Sequence, residues 1–354
     1  MTSTPYSEDS VLLSTEAARN LVCSMFEAYG VPSRSSTVVA DHLVENSVLG
    51  VHSHGLIRLP QYVEEILRGE IDPVATPAPA RRENAIVYVE GNRCFGQLAG
   101  SLAAAEAVLA ARAHGISLVL VRHTGHAGRI GAYTQEIARQ GLIALGFCSG
   151  PRSGHRVAPF GGKDPRLATN PISYAIPTSG DPLVADFSTA VSPEGRIRLL
   201  RARGLAAQPG TLLDAQGTPT TDPGVLYTEP KGSILPFGGL ELGYRGFALA
   251  LLVESMATLL AGDDTVDESR YGNNLAFIAI VPPPGFTGRV QRTADYIRSA
   301  KPINPAQPVL LPGEPEQISR RRSRGVLIDR ETWSSIERLA AAKALTVPNS
   351  LPPE

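Results

Sequence analysis

The chain is poor in cysteine, methionine and tryptophan: its 354 residues include 3 Cys, 3 Met and 1 Trp. Cys23, Cys94 and Cys148 are odd in number, far apart and without a CxxC pair. That pattern excludes a disulfide framework and a zinc ribbon, and predicts reduced thiols in a cytoplasmic protein. Neither charge sign is in excess. A formal net charge of -1 leaves no basic footprint for nucleic acid. The start, Met1 to Ser10, has no basic flank or apolar core, so no signal peptide is expected. The longest apolar run, Phe247 to Gly262, is interrupted by Glu254 and Ser255 and reads as too short to cross a bilayer. No repeat of solenoid period is visible. What remains, 43% hydrophobic and 19% charged residues, describes a soluble globular protein with a substantial core and two lobes.

A dinucleotide fingerprint is also missing. Strand-like Ile116–Val121 runs into Gly125, Gly128 and Gly131 and then a helix, but the spacing is GxxGxxG, not GxGxxG. The next strand, Leu142–Cys148, runs into Ser149-Gly150-Pro151 and has no acidic residue at its end for a ribose. A Rossmann fold is therefore not expected.

Helical periodicity marks the N-terminal part. Leu21, Val22, Met25, Phe26 and Tyr29 follow a capping Ser14, and Gly30-Val31-Pro32 ends the segment. A second helix runs into Gly50, and a third covers Leu59 to Leu67. Pro-rich Asp72 to Ala80 reads as a crossing linker. From about residue 85 short β-type runs dominate: Ile86–Val89, Ile116–Val121, Leu142–Cys148, Ile172–Ile176, Leu183–Phe187 and Leu275–Val281. Helices are expected at Ser101–His114, Tyr133–Arg139 and Phe247–Leu260. Asp329 would cap a last one over Glu331–Ala344.

Two stretches carry the chemistry: Gly50-Val51-His52-Ser53-His54-Gly55-Leu56-Ile57-Arg58, and His123-Thr124-Gly125-His126-Ala127-Gly128. Both set histidines among glycines, where side chains project from tight turns. On a helix, His54 and Arg58 would share a face, one turn apart. An imidazole titrating near neutrality beside a guanidinium fork suits a substrate with an ionised carboxylate and a proton to move. His52 and His123 read as structural. The four histidines could instead hold zinc, but no carboxylate or cysteine stands at a convincing ligand spacing. Further glycine-rich turns precede Ala168-Thr169-Asn170-Pro171, surround Gly243-Tyr244-Arg245-Gly246, and form Pro312-Gly313-Glu314. Arg245, at the expected opening of the Phe247 helix, would add to an anion site there. Arg320 to Arg324 reads as a solvated helix end.

These segments also keep a recognisable order. Gly50-Val51-His52-Ser53-His54-Gly55…Arg58, Gly125-His126, Pro159…Gly161-Gly162…Thr169-Asn170-Pro171, Asp186…Ser188, Thr220-Thr221-Asp222-Pro223, Gly243-Tyr244-Arg245-Gly246 and Pro312-Gly313-Glu314 together resemble the type 2 malate/L-lactate dehydrogenase family. That group includes ureidoglycolate dehydrogenase, diketogulonate reductase, sulfolactate dehydrogenase and the cyclic-imine carboxylate reductases. The resemblance extends from about Leu12 to Leu345. It implies a homodimer that binds NAD or NADP on a large, mainly antiparallel sheet. It also implies that His54 or His126 is the acid/base and that Arg58 and Thr169 hold the substrate carboxylate. Asp186, Phe187, Ser188, Arg245, Gly313, Glu314 and Pro315 would contact the cofactor. Two features depart from the family: Arg245 replaces its usual lysine, and the loop Ser149–Arg156, with Arg152, His155 and Arg156, is longer.

The expected architecture is α/β, a non-Rossmann cofactor domain over 76–284 with a helical lobe built from 1–75 and 285–354. The expected activity is NAD(P)-dependent hydride transfer between nicotinamide and the α-carbon of a small 2-oxo or 2-hydroxy carboxylate. Ser53, Arg58, Thr169 and Asn170 would bind the substrate, with no nucleic acid, membrane or metal involved. The alternatives are a cyclic imino-acid reductase on the same scaffold, a zinc hydrolase using the paired histidines, and an idle relative that senses a metabolite.

Overall fold

The structure, a computed structural model, describes residues 10–352. Of the polar start read above, only Ser10 falls inside them. The chain opens with β1 (Val11–Leu13), α1 (Thr15–Ala28), α2 (Ser33–Val48) and α3 (Arg58–Leu67). Next come β2 (Ala78–Glu83), β3 (Ile86–Glu90), α4 (Gly96–His114), β4 (Ile116–Thr124), α5 (Gly131–Arg139) and β5 (Ile143–Ser149). β6 (Ile172–Ile176), β7 (Leu183–Phe187) and α6 (Glu194–Ala202) precede three short strands, β8 (Leu212–Leu213), β9 (Pro219–Thr220) and β10 (Ser233–Ile234). The last part holds α7 (Gly239–Glu254), β11 (Asn273–Ile280), α8 (Phe286–Arg298), α9 (Glu314–Arg322), β12 (Val326–Ile328) and α10 (Arg330–Ala341).

A seven-stranded sheet in the order β2-β3-β4-β11-β5-β6-β7 forms the centre. Only β3 and β4 pair in parallel; every other neighbouring pair is antiparallel. β4 and β5 flank α5 in sequence, yet β11 lies between them, whereas a Rossmann crossover would set such strands side by side. Alternation along the strands supplies two apolar faces. Val119, Val121, Leu275 and Phe277 face the alanines of α4 and the side chains of α5. Leu120, Phe147 and Ala276 face Val253 and Ala257 on the other side.

Another core joins the two chain ends. Val11 and Leu13 of β1, which pairs antiparallel with β12, pack with Phe26, Leu43, Tyr62, Trp333 and Ile336. The expected caps are present: Ser14 Oγ accepts from the Ala17 amide at 3.1 Å and Asp329 Oδ1 from the Thr332 amide at 2.9 Å. Each satisfies an N–H group that a helix start leaves open.

Two expectations are corrected. Part of the expected linker is β2, an exposed strand at the sheet edge, where Pro79 and charged Arg81 and Arg82 are tolerated because one side of the ladder needs no partner. The long helix starts at Gly239, not Phe247. Gly243 and Gly246 are helical because they let the helix lie against Pro236 and Phe237; a Cβ on Gly246 would sit 2.4 Å from the Phe237 nitrogen. α7 continues as a π-helical turn, Ser255–Leu259. The resulting Gly239–Leu259 stretch of 21 residues is long and apolar enough, by length and composition, to cross a membrane, although 39% of its most apolar window is buried in the protein. The apolar run is thus longer than the sequence reading allowed.

Candidate active site

Antiparallel strands return to the same end of the sheet, so the loops after β4, β5 and β7 and before β6 and β11 open together. With α3 and the start of α6 they line a cleft of about 590 Å³. Ser53, His54, Arg58, His126, Thr169, Asn170, Asp186, Phe187 and Ser188 all contribute to its wall.

His54 and Arg58 do not share a helix. His52–His54 is a single 3-10 turn, Arg58 is the first residue of α3, and extended Gly55 (φ -91, ψ -151) separates them. A Cβ on Gly55 would lie 2.2 Å from Ser47 Oγ, which accepts from the Leu56 amide at 3.1 Å, so the break is set by close packing on α2. The two side chains nonetheless line the same cleft. Arg58 donates from Nε to the Ser53 carbonyl at 2.7 Å and from Nη1 to Gln61 Oε1 at 2.5 Å, which fixes the guanidinium plane. Ser53 Oγ lies 3.2 Å from His54 Nδ1.

His126 enters from the loop after β4. Its ring stacks on that of His54, with centroids 5.7 Å apart and planes 2° from parallel. Tyr62 Oη lies 2.7 Å from His126 Nδ1, and Gln97 Nε2 donates to the same oxygen at 2.9 Å. Burial and then the Arg58 charge push His54 down to about 3, and the same causes hold His126 well below the usual histidine range. Both rings are therefore neutral near pH 7.

The far wall contains Asp186, which accepts from the Gly131 amide at the start of α5 at 2.7 Å. Arg129, 6% exposed, lies close to Asp186, and its Nη1 has no hydrogen-bond partner among the described residues. Glu316 and half-exposed Phe187 complete this side. Ser188 Oγ donates to the Thr169 carbonyl at 3.0 Å, tying the two loops together.

Several expected residues lie elsewhere or do other work. Asn170 lines the cleft, and its side-chain nitrogen donates to Glu254 Oε2 at 2.9 Å and to the Ala250 carbonyl at 3.1 Å, which anchors α7. Arg245 lies in the second turn of α7, outside the cleft, with Nε 3.1 Å from Tyr244 Oη; the helix starts too early to place it at an N-terminus. Gly313 (φ 92) caps α9 against the Val184 backbone, and Glu314 accepts from the Leu311 amide at 2.6 Å and pairs with Arg298. Gly313, Glu314 and Pro315 lie outside the cleft wall, which Glu316 reaches from the same helix. His123 pairs with Glu90 at 2.9 Å and approaches Asp263 at 3.5 Å, away from the cleft. Among the described residues no group of three His, Cys, Asp or Glu side chains could hold a metal ion.

The sequence reading missed Tyr62, Gln97 and Arg129, and also Glu194 and Arg198 of α6, which line the cleft. Tyr62 stands one turn after Arg58 on α3, a spacing that could have revealed it. Ser192-Pro193-Glu194 is a helix-start signal that could have revealed α6. Gln97 and Arg129 carried no local signal.

The chain matches the profile of the malate/L-lactate dehydrogenase family over residues 13–337. It is 32% identical over 351 residues to L-lactate dehydrogenase of Cupriavidus necator, covering 96% of this chain and 99% of that protein. Among solved structures it resembles sulfolactate dehydrogenase from Methanocaldococcus jannaschii, with a TM-score of 0.83 at 28% identity over 95% of this chain and 98% of the other. It also resembles delta1-piperideine-2-carboxylate reductase from Pseudomonas syringae pvar. tomato, with a TM-score of 0.81 at 26% identity over 93% and 99% of the two chains. This chain belongs to the malate/L-lactate dehydrogenase family and is an oxidoreductase.

Proposed function

We propose that the cleft binds a small 2-oxo or 2-hydroxy carboxylate beside NAD or NADP, on a non-Rossmann fold. The observation that carries this reading is a fixed guanidinium, Arg58, facing two stacked neutral imidazoles in one cleft. A bound nicotinamide cofactor supplies or accepts the hydride at the substrate α-carbon. The residues present fit such a group. Partnerless Arg129 Nη1, beside the start of α5, suits a phosphate. Asp186 and Glu316 offer acceptors for ribose hydroxyls, and Phe187 offers a ring face.

Arg58 keeps N–H groups on Nη1 and Nη2 for a carboxylate, which fixes the α-carbon in one orientation. His54 or His126 then holds the proton of the substrate oxygen: it takes that proton when the alcohol is oxidised and returns it when the carbonyl is reduced. Tyr62 and Gln97 hold the His126 ring in place from behind. Among cyclic imino acids the same proton would go to nitrogen, a second reading supported by the likeness to the piperideine carboxylate reductase.

We further propose a homodimer. The exposed face of α7 and its continuation, with Leu240, Tyr244, Leu251, Leu252 and Leu259 each at least 46% exposed, is an apolar strip too large to leave in water. Arg245 shares this helix. The helical lobe is read as 1–75 with 285–354, and the cofactor domain as 76–284. Free thiols at Cys23, Cys94 and Cys148 support a cytoplasmic setting. The test is a reductase screen with pyruvate, oxaloacetate, 2-oxo sugar acids and cyclic imino acids, each with NADH and with NADPH. Turnover of one class identifies the substrate; no turnover and no cofactor binding would leave the metabolite-sensing alternative.

A further inference from the structure

The loop that follows β5 lines the proposed catalytic cleft with only part of its residues. Its other side lines a separate cavity of about 310 Å³, walled by Arg152, His155, Arg156, Arg166, Lys231 and Thr265. Arg156 and Ser153 belong to both walls, so the two spaces adjoin. Four permanent cations around so small a volume repel one another unless an anion joins them.

Their existing partners do not remove that charge. Arg152, Arg166 and Lys231 pair with Glu268, Asp164 and Glu229, whose side chains are 76%, 57% and 77% exposed; pairs of this kind are weak and are readily exchanged. Among the described residues Arg156 has no carboxylate partner. Its Nη1 donates only to the carbonyls of Ser153 and His155, at 3.0 and 2.7 Å, and its buried Nε has no acceptor. His155 is 8% exposed and its Nε2 also lacks a partner among the described residues. Native proteins rarely leave two such buried nitrogens unpaired in adjacent residues.

The loop is built rather than loose. Asn273 Nδ2 donates to the Ser149 carbonyl at 3.0 Å, and buried Arg270 donates to the Gly150 carbonyl. The Arg156 amide donates to Leu167 at 2.9 Å, and its carbonyl accepts from the Ile234 amide at 2.7 Å. The basic side chains are thus held by a backbone fixed on three sides.

We propose that this cavity is a second anion site, built for an oxyanion group of the phosphate or carboxylate class. Three sources share that chemistry: the 2′-phosphate of an NADP-type cofactor, a distal acidic group on the substrate, and free phosphate. The inference deepens the reading of the neighbouring cleft, but the anion site itself stands without it.

The test uses the full chain and orthophosphate as probe, titrated by calorimetry against the unaltered protein, Arg156→Gln, and the double variant Arg166→Gln/Lys231→Gln. Arg156→Gln should weaken phosphate at least tenfold, and the double variant, which leaves the loop backbone untouched, at least threefold. Phosphate affinity unchanged in both overturns the site, and so does an affinity that only Arg58→Lys removes, since phosphate would then occupy the main cleft. The same proteins are titrated with NADPH and NADH, and their KM values for oxaloacetate and pyruvate are compared. A tenfold loss of NADPH relative to NADH in Arg156→Gln assigns the site to the cofactor phosphate. A KM rise for oxaloacetate alone assigns it to the substrate. Weakened phosphate with both ratios unchanged assigns it to a free phosphate effector. Phosphate binding through Arg156 in a protein that binds neither nicotinamide would sink the cofactor reading while the anion site survives.

Discussion

The rings of His54 and His126 lie parallel within 2°, with centroids 5.7 Å apart, although their residues come from different elements. Two like imidazoles this close cannot both hold a proton without repulsion, and Arg58 adds a third positive charge. The pair is therefore neutral in the free protein, with room for a single added proton.

The first prediction separates the two rings. With His54 held at about 3 and His126 also far below its ordinary value, both are unprotonated bases across the neutral range. In the oxidative direction kcat/KM, which reports the free enzyme, should stay level from pH 8 down to about 5. A carboxylate on Arg58 offsets the charge that depresses them, so in the complex the pKa rises and kcat for reduction should grow as pH falls. His54→Asn or His126→Asn should lower kcat by about 10²–10⁴, and only the true acid/base should erase the pH-dependent limb. A limb near 6.5 that persists in both variants would move the proton to another group.

The second prediction concerns the proposed carboxylate clamp. Arg58 is held by Ser53 and Gln61 through two separate nitrogens, a geometry that a lysine ammonium cannot copy. Arg58→Lys should raise KM by roughly 10–100-fold, the equivalent of about 1.5–3 kcal/mol for a charge-assisted bond. The melting temperature should barely move. Unaltered steady-state kinetics would show that the carboxylate binds elsewhere.

The third prediction uses α6. A Cβ on Gly195 would lie 3.1 Å from Ser53 Cβ and 3.4 Å from Arg58 Nη2. Alanine favours a helix over glycine by about 1 kcal/mol, so Gly195→Ala should hold or raise the melting temperature. It should still lower kcat/KM by pushing Ser53 and the guanidinium aside. Stability and activity moving in opposite directions is the expected signature; an unchanged kcat/KM would mean that the loop yields freely.

The fourth prediction is acid instability. His42 is held at about 3 by burial and then by Arg129, and its Nε2 accepts from the Arg129 amide at 3.1 Å. Histidines with folded pKa values below the unfolded 6.5 bind protons only on unfolding. Stability should be full above about 6.5 and fall as pH drops towards 3, by up to about 1.4 kcal/mol per pH unit for each such residue. Thermal melts between pH 7.5 and 4.5 measure this slope, and His42→Gln should make it shallower. A melting temperature independent of pH over that range would refute the buried-neutral assignment.

The sequence by itself determined the elements whose signals are local. The caps at Ser14 and Asp329, the apolar alternation of the central strands and the glycine-flanked histidines can be read within a few residues, because each depends on neighbours in the chain. The order of the family motifs likewise needed only the chain. Tertiary structure alone decided what crosses long separations. β11 enters between β4 and β5 although about 150 residues separate its start from that of β4, because pairing chooses register by buried faces, not by sequence distance. Gly55 breaks the expected helix because Ser47, on another helix, leaves no space for a side chain. Asn170 donates to Glu254, far along the chain, because a buried carboxylate must find donors. The stacking of His54 on His126 depends on the same long-range packing: two turns meet only once the sheet end and the helices from both chain ends have closed around one cleft.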